Sequence, residues 1–225
     1  MNHILIFALL LTLVCPLSEA LFLRQRDAGR HWPAFWLKGL AALCFLGTGV
    51  LLASLAQGSK WVVWGLAFGL AGDQLLALRK IFPARHDLTF AAGTLSFSLG
   101  HVCYMAALLG AAPGLPLPAF PVFLVLVAGS EVFARKARFA RGKMHLPGLA
   151  YIAIEAAMCA LALARLWLVP DLSAGLFALG GVSFLISDNL LCAYSFGAMK
   201  TKAADRMLHI TYIAAQLLIA WSLAF

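Results

Sequence analysis

Two aspartates in long apolar stretches are the residues of this sequence best suited to acid–base chemistry. Asp73 lies in Gly72–Ala77 (GDQLLA) and Asp188 lies in Ser187–Cys192 (SDNLLC). Ionised carboxylates are costly in hydrocarbon, so acids that persist there usually serve a function. Two carboxyl groups in one cleft of low dielectric constant do not both ionise easily, so one keeps its proton as an acid while the other acts as a base. The alternative is a packing role, in which each acid forms hydrogen bonds to neighbouring helices or pairs with His101 or His209.

Polar side chains at helical spacing accompany these acids. The residues that we expect to orient the acids or contact a substrate are His101, Tyr104, Tyr151, Glu155, Ser187, Tyr212 and Gln216. Several of them lie one turn apart and therefore share a helical face, either for a ligand or for helix packing. His209 lies at the start of one such face, and we assign it no role. Glu131, four residues before Arg135, is predicted to form an ordinary helical ion pair.

Known catalytic motifs are missing from the sequence. It contains no G-x-S-x-G elbow, no H-E-x-x-H, no Gly-rich phosphate loop and no C-x-x-C pair. A catalytic metal usually has about three protein ligands, and apart from the terminal His3 only His101 and His209 among the six histidines fall in apolar stretches. We therefore expect neither a metal nor an organic cofactor, and we interpret the five cysteines as small core residues.

The elements that must position these residues are membrane-spanning helices. The sequence is 63% hydrophobic and 12% charged, too apolar to coat a soluble globule of this size. Its apolar runs approach the ~20 residues that a helix needs to cross a bilayer, without the alternation of a β-barrel. The sequence predicts an all-α polytopic membrane protein, a single transmembrane domain over 1–225 with about eight helices. The predicted spans are 2–23, 35–56, 60–78, 89–111, 118–134, 147–169, 173–196 and 207–225.

The basic residues predict the orientation of these helices. Apart from Lys60 and Arg165, all Lys and Arg residues are assigned to odd-numbered loops, with Lys38 in the first and Arg141 and Lys143 in the fifth. The positive-inside rule then places the odd loops in the cytoplasm and both termini outside. Because loop position accounts for the net charge of +8, we expect no nucleic-acid partner.

The first apolar stretch could be mistaken for a secretory leader, since Ser18-Glu19-Ala20 loosely resembles a cleavage site. However, the stretch lacks a basic n-region, and Arg24, Arg26 and Arg30 follow it. We therefore expect a retained first helix.

An internal repeat relates the two halves of the chain. The segments around Asp73 and Asp188 correspond, and so do His101–Ala107 (HVCYMAA) and His209–Ala215 (HITYIAA). Both pairs are four predicted spans apart, so the halves cross the membrane in the same direction, as in parallel-repeat membrane proteins. The prediction is a 4 + 4 arrangement that could bring Asp73 and Asp188 face to face. The predicted halves are 1–112 and 113–225.

These residues together resemble the YhhN-like family of membrane lysoplasmalogenases. The resemblance rests on Gly72-Asp73 followed by leucines, F-S-L-G-H-V-C-Y at 97–104, Ser187-Asp188, and Y-x-A-A-Q at 212–216. It implies hydrolysis of the vinyl ether bond of lysoplasmalogens to a fatty aldehyde and a glycerophospho-base. It further implies that Asp73 and Asp188 are catalytic and that the partner is a lysophospholipid from the membrane. We expect a multi-pass protein of the bacterial inner (cell) membrane.

Two other functions fit parts of the same pattern. A small secondary transporter also combines a repeat with carboxylates near the middle of the membrane. A metal-dependent, ceramidase-like lipid hydrolase would use the aspartates as ligands.

Overall fold

The structure, a computed structural model, describes residues 2–56, 59–112, 114–139 and 145–225. Within these ranges all regular structure is helical, and eight α-helices are long and apolar enough to cross a membrane. The helices are α1 (Asn2–Asp27), α2 (His31–Ala56), α3 (Lys60–Ile81), α4 (His86–Ala111), α5 (Pro116–Lys136), α6 (His145–Leu168), α7 (Leu172–Phe196) and α8 (Lys202–Trp221). This confirms the predicted all-α, eight-helix fold class. Arg141 and Lys143, assigned to a cytoplasmic loop, lie outside the described residues.

Large apolar side chains are exposed along these helices. Leu13 of α1, Leu117 of α5 and Trp167 of α6 are 70%, 85% and 76% exposed. Water would disfavour such surfaces, whereas lipid chains solvate them as well as a protein core does. The chain is therefore an integral multi-pass membrane protein. The orientation of its termini and its 4 + 4 repeat stay predictions.

Several helices extend beyond the predicted spans. The first continues to Asp27 and the last begins at Lys202, because backbone hydrogen bonding does not stop where hydropathy falls and charged side chains can extend toward the interface. The assignment of Lys38 to the first loop was wrong. Lys38 lies inside α2, and it is 5% exposed.

One compact unit comprises Met1–Tyr104 and Ile219–Phe225. In it α1 packs on α2 and α2 on α3, and α2 also contacts the C-terminal 3₁₀ turn Ser222–Ala224. Trp221 Nε1 donates a hydrogen bond of 2.9 Å to Thr12 Oγ1 of α1. On α4, Ser96 Oγ donates to the Phe68 carbonyl of α3 at 2.7 Å. These bonds fix the register between helices that hydrophobic packing alone leaves loosely defined.

Gly65 of α3 lets the Tyr104 ring of α4 approach the α3 backbone. A Cβ at Gly65 would overlap Cδ1, Cε1 and Cζ of that ring, and Tyr104 is 1% exposed, so the ring has little room to move. We expect Gly65→Ala to lower the free energy of unfolding by about 1–3 kcal/mol.

Thermal unfolding of the detergent-solubilised protein measures this effect. Gly110→Ala is the matched control, because Gly110 also lies in a helix but a Cβ there meets nothing within 4 Å. Removing a helical glycine should leave that variant as stable as the wild type or slightly more stable. Equal unfolding temperatures for the two variants would contradict the predicted role of Gly65.

The other compact unit comprises Met105–Leu218. Here α5 packs on α6 and α6 on α7, and α5 also contacts α7. Asn189 Nδ2 of α7 donates to Ser130 Oγ of α5 at 3.1 Å. Past the end of α7, the Ala198 amide donates to the Ala137 carbonyl at 2.9 Å. A Cβ at Gly197 would come within 2.6 Å of the same carbonyl oxygen, so this close approach requires glycine.

Candidate functional site

Asp188 lies in a buried cluster between α6 and α7. The Tyr151 hydroxyl donates a hydrogen bond to Asp188 Oδ2. A carboxylate oxygen of Glu155 lies within 4.8 Å of one of Asp188. The exposed fractions are 5% for Tyr151, 0% for Glu155 and 5% for Asp188. We refer to Tyr151, Glu155 and Asp188 as the α6–α7 acid cluster.

Helix geometry and small residues build this cluster. Tyr151 and Glu155 are four residues apart on α6 and so point to the same side, as the sequence predicts. Gly181 of α7 packs against the α6 backbone, where its Cβ would lie 3.4 Å from Cys159 Cα. Such small residues let two helices approach closely in a membrane, and this brings Asp188 to the acidic face of α6.

The two carboxyl groups of the α6–α7 acid cluster are neighbours in a buried place. Both oxygens of Glu155 are buried and have no hydrogen-bond partner among the residues that the structure describes. Charging two neighbouring carboxyl groups in such surroundings would combine desolvation with mutual repulsion. Two neighbouring carboxyl groups in such surroundings can share one proton and then act as an acid. Each group could also offer an oxygen to a cation.

The remaining predicted residues of this unit connect α7 and α8. Ser187 Oγ donates to the Leu208 carbonyl at 3.3 Å, so this hydroxyl links the two helices. Gln216 Nε2 donates to the Tyr212 hydroxyl at 3.0 Å, as expected from their shared helical face. The Tyr212 ring meets Phe184 edge to face at 5.8 Å between centroids. His209, which received no role, has Nε2 3.8 Å from Asp205 Oδ1.

Asp73 lies in a separate buried cluster of charges. Lys38 Nζ of α2 is 2.8 Å from Glu19 Oε1 of α1 and 3.3 Å from Asp73 Oδ1 of α3. The Phe22 ring covers the same ammonium group, with its centroid 5.3 Å away. All three charged side chains are at most 7% exposed. We refer to Glu19, Lys38 and Asp73 as the α1–α3 ion triad.

Sequence reasoning missed two members of this triad. Glu19 was considered only as part of an apparent cleavage site, and Lys38 only as a loop residue. The signal was nevertheless present, because each is a charged residue within an apolar stretch and opposite charges there usually pair.

His101 and Tyr104 lie together on α4 in the same unit as Asp73. They are both 1% exposed, and their ring centroids are 6.3 Å apart. Their predicted common face is therefore present. That Asp73 and Asp188 pair across one cavity stays a prediction.

This fold and these clusters define the class of the protein. It is a multi-pass helical membrane protein with buried acids on several spans. The model of the YhhN family matches residues 34–223. The chain therefore belongs to the YhhN family, which confirms the family expected from the sequence motifs. The match includes Lys38 and the α6–α7 acid cluster, whereas Glu19 precedes it. No curated protein and no solved structure is significantly similar to the chain.

Proposed function

We propose that this protein hydrolyses the vinyl ether bond of lysoplasmalogens, releasing a fatty aldehyde and a glycerophospho-base. The observation that carries the proposal is the α6–α7 acid cluster, a buried pair of neighbouring carboxyl groups, in a membrane protein of the YhhN family. A lipid hydrolase of this kind needs an acid within reach of the membrane interior. Asp188 and Asp73 are the proposed catalytic residues.

The reaction requires one acid and one base. The acid protonates the β-carbon of the vinyl ether, and the resulting positive charge is shared between the neighbouring carbon and the ether oxygen. Water adds to that carbon while a carboxylate takes up a water proton, and the hemiacetal then breaks into aldehyde and alcohol. A carboxylate near the intermediate also stabilises its positive charge. We assign the proton donation to the α6–α7 acid cluster and the carboxylate role to Asp73.

The substrate has a single chain and could enter sideways from the membrane. Its vinyl ether lies next to the glycerol, a short distance below the headgroup. Asp73 precedes Arg79 by six residues on α3, which is roughly 9 Å along a helix. Arg79 and Lys80 could therefore meet the lipid phosphate while Asp73 meets the reacting bond.

The direct test is an aldehyde-release assay on the purified protein in detergent. We expect aldehyde from an alkenyl lysolipid and none from matched alkyl-ether or ester lysolipids, because only the vinyl ether is opened by carbon protonation. A series of alkenyl lysolipids with different headgroups measures which glycerophospho-base the protein prefers. If the folded wild type releases no aldehyde from any alkenyl lysolipid, the proposal is wrong.

The same preparation separates the two other functions. In proteoliposomes, solute flux without lipid turnover would indicate a transporter, which the buried charges on several spans also suit. Release of a fatty acid from an amide-linked lipid that is lost with a chelator and restored by a metal would indicate a metal-dependent, ceramidase-like hydrolase that uses Glu155 and Asp188 as ligands. We further propose that the protein lies in a bacterial inner membrane. Fractionation of the host's membranes, followed by detection of the protein in each fraction, tests this location.

A further inference from the structure

The α1–α3 ion triad has one carboxylate more than charge balance requires. Glu19, at 2.8 Å, is sufficient to neutralise Lys38. Asp73, at 3.3 Å, is a second acid on the same ammonium group. When all three groups are ionised, the triad carries a net negative charge in a buried place, which is costly. A purely structural ion pair would not need Asp73.

The presence of Asp73 is explained if its negative charge takes part in the reaction. An ammonium group this close to a carboxyl group favours the ionised form. The groups that face Lys38 include Glu19 and Phe22 of α1 and Asp73 of α3. The ammonium thus lies under an aromatic ring and between two acids, with its side chain 7% exposed, which leaves it poorly placed to bind a lipid phosphate itself.

We infer that Lys38 is a positioning residue that holds Asp73 as an ionised carboxylate, and that Glu19 keeps the Lys38 ammonium in place. The inference rests on the proposed function and deepens it. It gives a physical reason for assigning to Asp73 the carboxylate role that stabilises the cationic intermediate. Lys38 acts only through Asp73 and does not touch the substrate.

Four variants test this role in the aldehyde-release assay. Lys38→Met should lower kcat by about 100-fold, as removal of one preorganised charge typically does, while KM stays within about twofold. Lys38→Arg keeps the positive charge and should retain kcat within about tenfold. Glu19→Gln leaves the Lys38–Asp73 pair intact and should lower kcat by less than about tenfold.

The double variant Lys38→Met/Glu19→Gln separates catalysis from folding. Lys38→Met alone leaves two buried carboxylates without their cation, so it could fail to fold. The second substitution removes one of these charges and should restore the unfolding temperature. We expect the double variant to fold like the wild type and still lose about 100-fold in kcat, because Asp73 lacks its cation.

Each outcome of this series decides the inference. Recovery of wild-type kcat in the folded double variant would overturn it, because Lys38 would then only balance Glu19. A rise in KM at constant kcat would also overturn it, since Lys38 would then bind the substrate. If the wild type itself releases no aldehyde, the proposed function fails and the inference fails with it. If the wild type is active and the double variant is equally active, the inference is contradicted and the proposed function is not.

Discussion

Asp188→Asn should lower the rate of aldehyde release by about a thousandfold, or roughly 4 kcal/mol of transition-state stabilisation. The substitution removes one of the two neighbouring carboxyl groups of the α6–α7 acid cluster. Without the carboxyl group of Asp188, the proposed exchange of a proton between Asp188 and Glu155 is lost. The amide oxygen of Asn can still accept the Tyr151 hydrogen bond that Asp188 Oδ2 accepts, so we expect the packing of α6 on α7 to survive.

Asp171→Asn on the same helix is the matched control. Asp171 caps α7 by accepting a hydrogen bond of 2.6 Å from the Ala174 amide, and Asn caps helices about as well as Asp. This variant loses a carboxylate outside the α6–α7 acid cluster and should keep the wild-type rate. Initial rates at saturating alkenyl lysolipid, with unfolding temperatures for both variants, make the comparison. Equal rates for Asp188→Asn and Asp171→Asn would remove Asp188 from the mechanism.

The parts of the site that the sequence predicts are those formed within one helix. Tyr151 and Glu155 share a side of α6, and Tyr212 and Gln216 are hydrogen-bonded on α8, because residues four apart on a helix are neighbours whatever surrounds it. The eight spans follow from hydropathy for a similar reason, since a helix in lipid must satisfy its own backbone.

Contacts between helices were not predictable in the same way. Hydropathy does not specify how far one helix slides or turns against the next. Ser187 stays a residue expected to orient the acids, but the hydrogen bond that its hydroxyl donates to the Leu208 carbonyl of α8 was not predicted. Lys38 was counted with Arg24, Arg26 and Arg30 as a basic residue of the first loop. Its burial depends on Glu19 and Asp73, which come from the helices on either side in the chain.

Asp73→Asn is expected to reduce aldehyde release by a similar factor, about a thousandfold, by removing the carboxylate that accepts the water proton and faces the cationic intermediate. The fold should tolerate this change. Lys38 keeps its 2.8 Å contact with Glu19, so the remaining pair is electrically neutral, and the Asn oxygen can still accept from the ammonium. The unfolding temperature should stay within about 4 °C of the wild type.

Asp87→Asn serves as the control for this substitution. Asp87 lies in the first turn of α4 with a fully exposed side chain, so its loss should leave the rate unchanged. A folded Asp73→Asn variant with the rate of Asp87→Asn would exclude Asp73 from catalysis.

The Asp73→Asn background also tests whether Lys38 acts through Asp73. If it does, adding Lys38→Met/Glu19→Gln to Asp73→Asn should cost no further rate, because the group that Lys38 serves is already gone. If Lys38 acts independently, the two losses should multiply. A non-additive result would therefore link the α1–α3 ion triad to the chemical step through Asp73, and an additive one would assign Lys38 a separate role.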